Sequence, residues 1–350
     1  MTRRLAGALV PLALALALAS TLGPGAAAAG PSPADDREPP AVTGFALGSL
    51  RPQVVHRDAA ALTTVSVAGI GLRPDGARVA APTTDMQRLA RAAHRDGLRA
   101  ELLVNNYSNL LEAFDPRAAH RLLASRRNIR GVADEVAAHV RAQDWDGVNV
   151  DLERVRAADA RRLVTFVAAL QGALPDNATV SIDVSAATSV RAYRDRGYAL
   201  AALGRAADVV VVMAYDQHGP TWSDPGPVGD LRWQREAMRA AASVVPADRL
   251  DLGVAGYGYT WPREGVGRSV RIARAWRMVE RDDVRATWHR RSGEWSARLD
   301  DGTVMWWSDG RSYRARLRLA ERLGVHGVAV WRLGSADPLV GAGRAQRRAR

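Results

Sequence analysis

Residues 146–153, Asp-Gly-Val-Asn-Val-Asp-Leu-Glu, constrain the fold of this chain most, because they set polar groups at alternate positions of an otherwise apolar strand. Side chains of a strand alternate between faces, so Asn149, Asp151 and Glu153 share one face while Val148, Val150 and Leu152 share the other. Burying such polar groups without a task costs several kcal/mol, so the row points to a function. In a parallel barrel the outward face packs under helices, and inward residues near the carboxyl ends of the strands reach the floor of an active site. Glu153, last in the row, is expected at the mouth.

The rest of the chain supports that architecture. Eight short apolar runs occur at Thr43 to Leu47, Thr64 to Ile70, Ala100 to Asn105, Gly147 to Glu153, Thr179 to Val184, Val209 to Asp216, Leu250 to Gly258 and Gly327 to Leu333. Segments with helical spacing separate most of them: Thr84 to Asp96, Val132 to Gln143, Ala157 to Leu174, Leu231 to Val244 and Ser312 to Leu323. Alternating strands and helices indicate a parallel sheet, and eight such strands predict an α/β fold closed as a (β/α)8 TIM barrel. A doubly wound sheet fits less well, since no Gly-rich phosphate turn follows the first strand.

Between the seventh and eighth runs the pattern changes. Val284 to Arg291, Glu294 to Leu299 and Thr303 to Trp307 alternate apolar and polar residues between Gly-containing turns, so residues 260–310 read as a small β-rich insertion on the active-site side. It holds six of the ten Trp. Aromatic faces can stack on sugars, but a small meander needs large residues for any core, and packing is the expected role.

The 350 residues divide into a leader (1–29), a Pro-rich linker (30–40), the barrel (41–340) and a basic tail (341–350). The leader carries Arg3 and Arg4, a short apolar run and small residues, the pattern of a secretory signal peptide. Export to the extracellular side is therefore expected. With no cysteine there is no disulfide, thiol nucleophile or thiolate metal ligand. All 49 basic residues are Arg, which excludes Schiff-base aldolases, pyridoxal enzymes and lysine-dependent phosphate loops. The net charge of +12 is partly terminal, four Arg lying in the last ten residues. For an exported monomer the fitting partner is an anionic cell-wall or membrane surface rather than nucleic acid.

The segment from Asp144 to Glu153, DWDGVNVDLE, resembles the signature of family 18 glycoside hydrolases: Asp-Gly, apolar, Asp or Asn, apolar, Asp, any residue, Glu. Met213-Ala214-Tyr215-Asp216 and Trp331 match the same family in the right order. Val104-Asn105-Asn106, Gly256 to Trp261 and Trp306 to Tyr313 look most like its bacterial cell-wall and spore-cortex branch. Three departures stand out. Asn149 occupies the place of the first Asp of the commonest chitinase version, Trp145 replaces a smaller residue, and the Ser-any-Gly-Gly segment of many chitinases is absent. They bear on substrate preference rather than on the chemistry.

The resemblance implies a substrate-assisted mechanism, in which the sugar's own 2-acetamido carbonyl attacks the anomeric carbon with retention. The spacing agrees: Asp151 and Glu153 project from one strand with backbones about 6.6 Å apart, so Asp151 is poorly placed as a nucleophile on the opposite sugar face. Glu153 would donate a proton to the leaving oxygen and then activate water, its pKa raised by Asp151. Asp151 would orient the acetamido N–H, with Asn149 holding it from below, and Tyr215 would donate to the acetamido oxygen. Met213, Asp216 and Tyr257 would line the substrate, and Trp331 would floor it. His218 reads as a satisfied loop histidine. No His/Asp/Glu spacing suggests a metal site, and the chemistry needs no cofactor. The implied activity is cleavage of β-linked N-acetylglucosamine in peptidoglycan or a chitin-like polymer. The alternative is a non-catalytic, lectin-like sugar binder, a class that typically lacks the terminal Glu.

Overall fold

The computed structural model describes residues 39–340; the leader, most of the linker and the basic tail lie outside them. The chain runs through β1 (Ala41–Leu47), β2 (Thr64–Gly71), β3 (Arg99–Asn105), a hairpin of β4 (Tyr107–Ser108) and β5 (Ala113–Phe114), then β6 (Gly147–Asp151), β7 (Thr179–Ser185), β8 (Val209–Met213) and β9 (Leu250–Ala255). Five strands of a separate sheet follow: β10 (Gly258–Trp261), β11 (Ser269–Val270), β12 (Thr287–His289), β13 (Glu294–Arg298) and β14 (Val304–Trp307). The last strand is β15 (Gly327–Trp331). A closed parallel barrel forms in the order β1-β15-β9-β8-β7-β6-β3-β2, the (β/α)8 TIM barrel expected from the alternation of strands and helices.

Strands buried on both faces need apolar residues outward, and Val148, Val150 and Leu152 of the acidic row join the large core under the helices. Inside the barrel the lining divides. Phe45, Ala68, Leu103, Val211 and Ala329 form an apolar cluster capped by Trp331. Glu101, Asn149, Asp151, Ser181, Asp183 and Asp251, from β3, β6, β7 and β9, are buried beside it.

Helix boundaries follow their caps. The helix Arg126–Ala142 begins six residues before the apolar spacing does, because Ser125 caps it by accepting from the Asn128 N–H at 3.2 Å. Its Arg-rich first turn is invisible to hydrophobic periodicity. The final helix, Gly310–Leu323, opens under the Asp309 carboxylate and stops at Gly324, whose φ of 62° is the left-handed value that terminates helices.

The insertion is a five-stranded antiparallel sheet with the order β11-β10-β14-β13-β12, packed on the helix Ile272–Arg281. Trp307 is fully buried there, with Trp276 at 5.1 Å and edge-on to it, and Trp276 meets Trp295 at 5.2 Å. These three indoles serve as core, as the sequence suggested. Trp261 and Trp306 instead face the barrel, joining Tyr257, Tyr259, Tyr215 and Trp331. A buried ion pair ties insertion to barrel: Glu294 of β13 accepts from Arg316 of the last helix at 3.0 Å, and from the backbone N–H groups of Val228 and Gly229 at 2.7 and 3.0 Å.

Candidate active site

The barrel ladder carries β6 only as far as Asp151, which pairs with Asn105 of β3, two residues short of the apolar run. Beyond that point a side chain replaces the neighbouring strand. Asn106, itself buried, accepts from the Glu153 N–H at 2.9 Å and donates to the Glu153 carbonyl at 3.0 Å. Its second amide hydrogen goes to the Asp115 carbonyl at 2.9 Å. Glu153 is therefore fixed by its backbone at the barrel mouth, partly buried, directly after the strand that bears Asn149 and Asp151. Asp146, the first acid of the motif, does other work: its Oδ2 accepts from the Ala100 N–H at 2.7 Å and pairs with His94 at 2.8 Å.

Asn149 turns sideways to β7. Its Nδ2 donates to Ser181 Oγ at 3.0 Å and to Asp183 Oδ1 at 2.9 Å. Asp183 is not among the residues that the sequence motifs pick out, yet it carries a signal of the same kind as the acidic row: Thr179, Ser181, Asp183 and Ser185 alternate with Val180, Ile182 and Val184. Below it, Glu101 accepts from Ser181 at 3.1 Å, and Asp251 is paired with His326 at 2.7 Å.

This column of carboxyls shapes its own protonation. Burial, then the like charges of Asp151 and Asp216, push Glu153 up to about 8. Burial pushes Glu101 up to about 7 despite the opposing Ser181 hydrogen bond. Asp151 and Asp183 both rise well above the usual carboxylate range, Asp151 through burial and then the nearby Asp183. An acid that stays protonated near neutrality is what a proton donor to a leaving oxygen requires.

The other wall comes from β8 and β9. The β8 ladder ends at Met213, which pairs with Ser185, and the chain then turns tightly, the Ala214 N–H bonding the Val212 carbonyl at 2.7 Å. Tyr215 follows beside Gly253 of β9, where an added Cβ would come within 3.1 Å of the tyrosine ring and 2.6 Å of the Val212 carbonyl. Only glycine leaves room for that ring. Burial holds the Tyr215 hydroxyl well above its ordinary pKa, so it remains a hydrogen-bond donor. Asp216, exposed at the rim with φ of 58°, accepts from the Tyr257 hydroxyl and, at 2.8 Å, from the Tyr259 hydroxyl. Tyr257 is buried, and its contact with Asp216 makes it a support for that carboxylate; Tyr259, which lies in the Gly256 to Trp261 segment but takes no role from the sequence, shares the task. Trp331 lies tilted against Phe45 at 5.5 Å, between the apolar barrel cluster and the insertion-side aromatics. His218 is satisfied in its loop by the Pro227 carbonyl at 2.8 Å. The structure thus gathers Asn149, Asp151, Glu153, Met213, Tyr215, Asp216, Tyr257 and Trp331 around one barrel mouth, with Asn106, Asp183 and Tyr259 as additions.

Comparison with known proteins agrees with this geometry. The pattern of glycosyl hydrolases family 18 matches residues 81–336. The chain is 23% identical over 255 residues to the uncharacterized glycosylase YvbX of Bacillus subtilis, covering 69% of this chain and 73% of that one. A class V chitinase from Pseudomonas fluorescens superposes with a TM-score of 0.80 at 24% identity, covering 87% of this chain and 99% of the other. The Bacillus cereus spore cortex-lytic enzyme SleL superposes with a TM-score of 0.77 at 18% identity, covering 86% and 72%. With the family pattern running through most of the barrel and the acidic row at its mouth, the chain belongs to family 18 of the glycosyl hydrolases.

Proposed function

We propose that this protein is an exported glycosidase that cleaves β-linked N-acetylglucosamine polymers with retention, peptidoglycan being favoured over chitin. The observation that carries the reading is Glu153, a carboxyl held at the barrel mouth with a pKa of about 8, directly beyond Asp151. In this reading Glu153 protonates the leaving oxygen while the substrate's acetamido carbonyl closes on the anomeric carbon, and the resulting carboxylate then activates water. Asp151 takes the acetamido N–H, and Tyr215 donates to the carbonyl oxygen. Trp331 gives the reacting sugar an apolar floor. Trp222, 55% exposed and edge-on to Tyr259 at 5.7 Å, offers further aromatic surface for a polymer.

Preference for a wall polymer draws on the cortex-lytic likeness, the leader and the Arg-rich tail, which fits an anionic wall surface. The protein acts as a monomer in this proposal. The deciding experiment is parallel digestion of purified peptidoglycan and of chitin oligosaccharides, with mass analysis of the products. Release of fragments ending in N-acetylglucosamine supports the proposal, and preferential attack on peptidoglycan supports its finer part. No cleavage of either polymer would sink it.

A further inference from the structure

Position 149 leaves Asp151 without a carboxyl beneath it on its own strand. Asn149 is neutral, and its amide hydrogens are spent on Ser181 and Asp183. Its Oδ1 and the Asp151 Oδ1 are both buried and receive no hydrogen bond. Two buried acceptors without a protein donor are costly unless a proton is present. The adjoining strand supplies a carboxyl that can share one. The β6–β7 register pairs Asn149 with Ser181 and Val150 with Ile182, so its next step sets Asp183 beside Asp151, on strands about 4.8 Å apart.

The groups facing Asp183 offer no neutralising partner. They are Asp151 and Glu153 from β6 and beyond, Glu101 from β3, Asp251 from β9, and Tyr215 after β8. Two carboxyls so close in a buried site cannot both ionise, and the pair retains one proton. Asp183 Oδ1 already accepts the Asn149 N–H, a bond that favours its charged form. The resting proton therefore belongs on Asp151.

We infer that Asp183 is the proton partner of Asp151, filling from the neighbouring strand the place that an acid at position 149 would take. The inference rests on the substrate-assisted reading above. As Asp151 takes up the acetamido N–H it releases its proton to Asp183 and becomes the anion beside the forming ring. When the ring opens the proton returns. The pair holds one proton and one negative charge throughout, so no other donor or acceptor is consumed. Asp183 touches no substrate and is a positioning residue, acting on the charge of Asp151.

The test is a carboxyl-carbon NMR titration of protein labelled at aspartate, alongside the pH profile of kcat on an N-acetylglucosamine oligosaccharide. In Asp183→Asn the Asp151 midpoint should fall by about one unit or more, and the acid limb of kcat should move down with it, while KM stays within about twofold. The exchanged pair Asn149→Asp with Asp183→Asn should restore two linked titration steps and a native-like acid limb. An Asp151 midpoint within about 0.3 unit of native in Asp183→Asn overturns the inference. Should that variant not fold, the exchanged pair decides: linked steps uphold the inference, and a single ordinary carboxylate midpoint for Asp151 overturns it. The titration needs no turnover, so a native protein that cleaves nothing defeats the functional proposal on separate grounds.

Discussion

Asn106 grips Glu153 by its backbone on both sides, taking the N–H at 2.9 Å and giving to the carbonyl at 3.0 Å. The strand has already left its ladder here, so this carboxamide sets where the acid stands. Asn106→Ala should cost about 1–3 kcal/mol of stability, through backbone groups left unpaired, and should lower kcat at least tenfold with a smaller change in KM. Denaturant unfolding and steady-state kinetics check both halves. A stability loss with kcat intact would reduce Asn106 to an anchor.

Glu153→Gln keeps the shape of the side chain but removes the transferable proton. Turnover should fall on the order of 10² to 10⁴ while oligosaccharide binding, followed by tryptophan fluorescence, persists. The basic limb of the native kcat profile should lie near the raised Glu153 pKa of about 8. A variant keeping a tenth of its activity, or a basic limb near ordinary carboxylate values, contradicts the role given to Glu153.

Stability should depend on pH in the direction opposite to that of a protein rich in salt-bridged acids. Glu153 and Glu101 hold protons up to about 8 and about 7 in the native state, against 4.5 in the unfolded chain. Above 4.5 the unfolded chain has lost protons that the native state keeps, so stability falls as pH rises through that window and levels off beyond it. Urea midpoints at about pH 5, 6.5 and 8 should decline in that order, and Glu101→Gln should flatten the decline. A midpoint that climbs over this range refutes the protonation pattern.

The Arg316 guanidinium is fully buried, with Glu294 as counter-charge and the carbonyls of Ser312 and Ser292 among its acceptors. Arg316→Met should destabilise by about 3–5 kcal/mol, because it leaves the Glu294 carboxylate buried and uncompensated. Adding Glu294→Leu should recover only part of that loss, because the buried N–H groups of Val228 and Gly229 then lose their acceptor. Thermal and urea unfolding of the single and double variants test this.

Deleting residues 341–350 removes four Arg, and hydrolysis of a short neutral oligosaccharide should not change. Binding to an anionic wall preparation should weaken, and its salt dependence should become shallower. A fall in kcat on the small substrate would place the tail within the fold or the site.

The barrel and its acidic row are legible in the sequence because polar side chains seldom occupy alternate positions of a buried strand without a task. Asp183 carries a milder form of the same alternation on β7, but with Ser and Thr as its companions the strand reads merely as an apolar run. Asn106 stands in the Val104-Asn105-Asn106 segment noted in the sequence, but its role leaves no trace in local pattern, since it acts on a backbone 47 residues away. Comparable separations hide the grip of Tyr257 and Tyr259 on Asp216, 41 and 43 residues apart from it. Periodicity reports which face a residue takes; it does not report which backbone a side chain will hold.

The Glu294–Arg316 pair gives the β-sheet insertion a status its size conceals. Inserted elements are often interchangeable parts, shed or swapped without disturbing the frame that carries them. Here the carboxylate also holds the backbone at Val228 and Gly229, the far end of the loop that starts just after Asp216, so it latches one rim of the cleft from behind. A chimera that imports another insertion without a matching acid would leave a lone guanidinium buried between the last helix and the insertion and release that rim at once. An exchanged insertion must therefore bring an acid that meets Arg316 of the last helix. The acid on the insertion and the guanidinium 22 residues further on work as one unit.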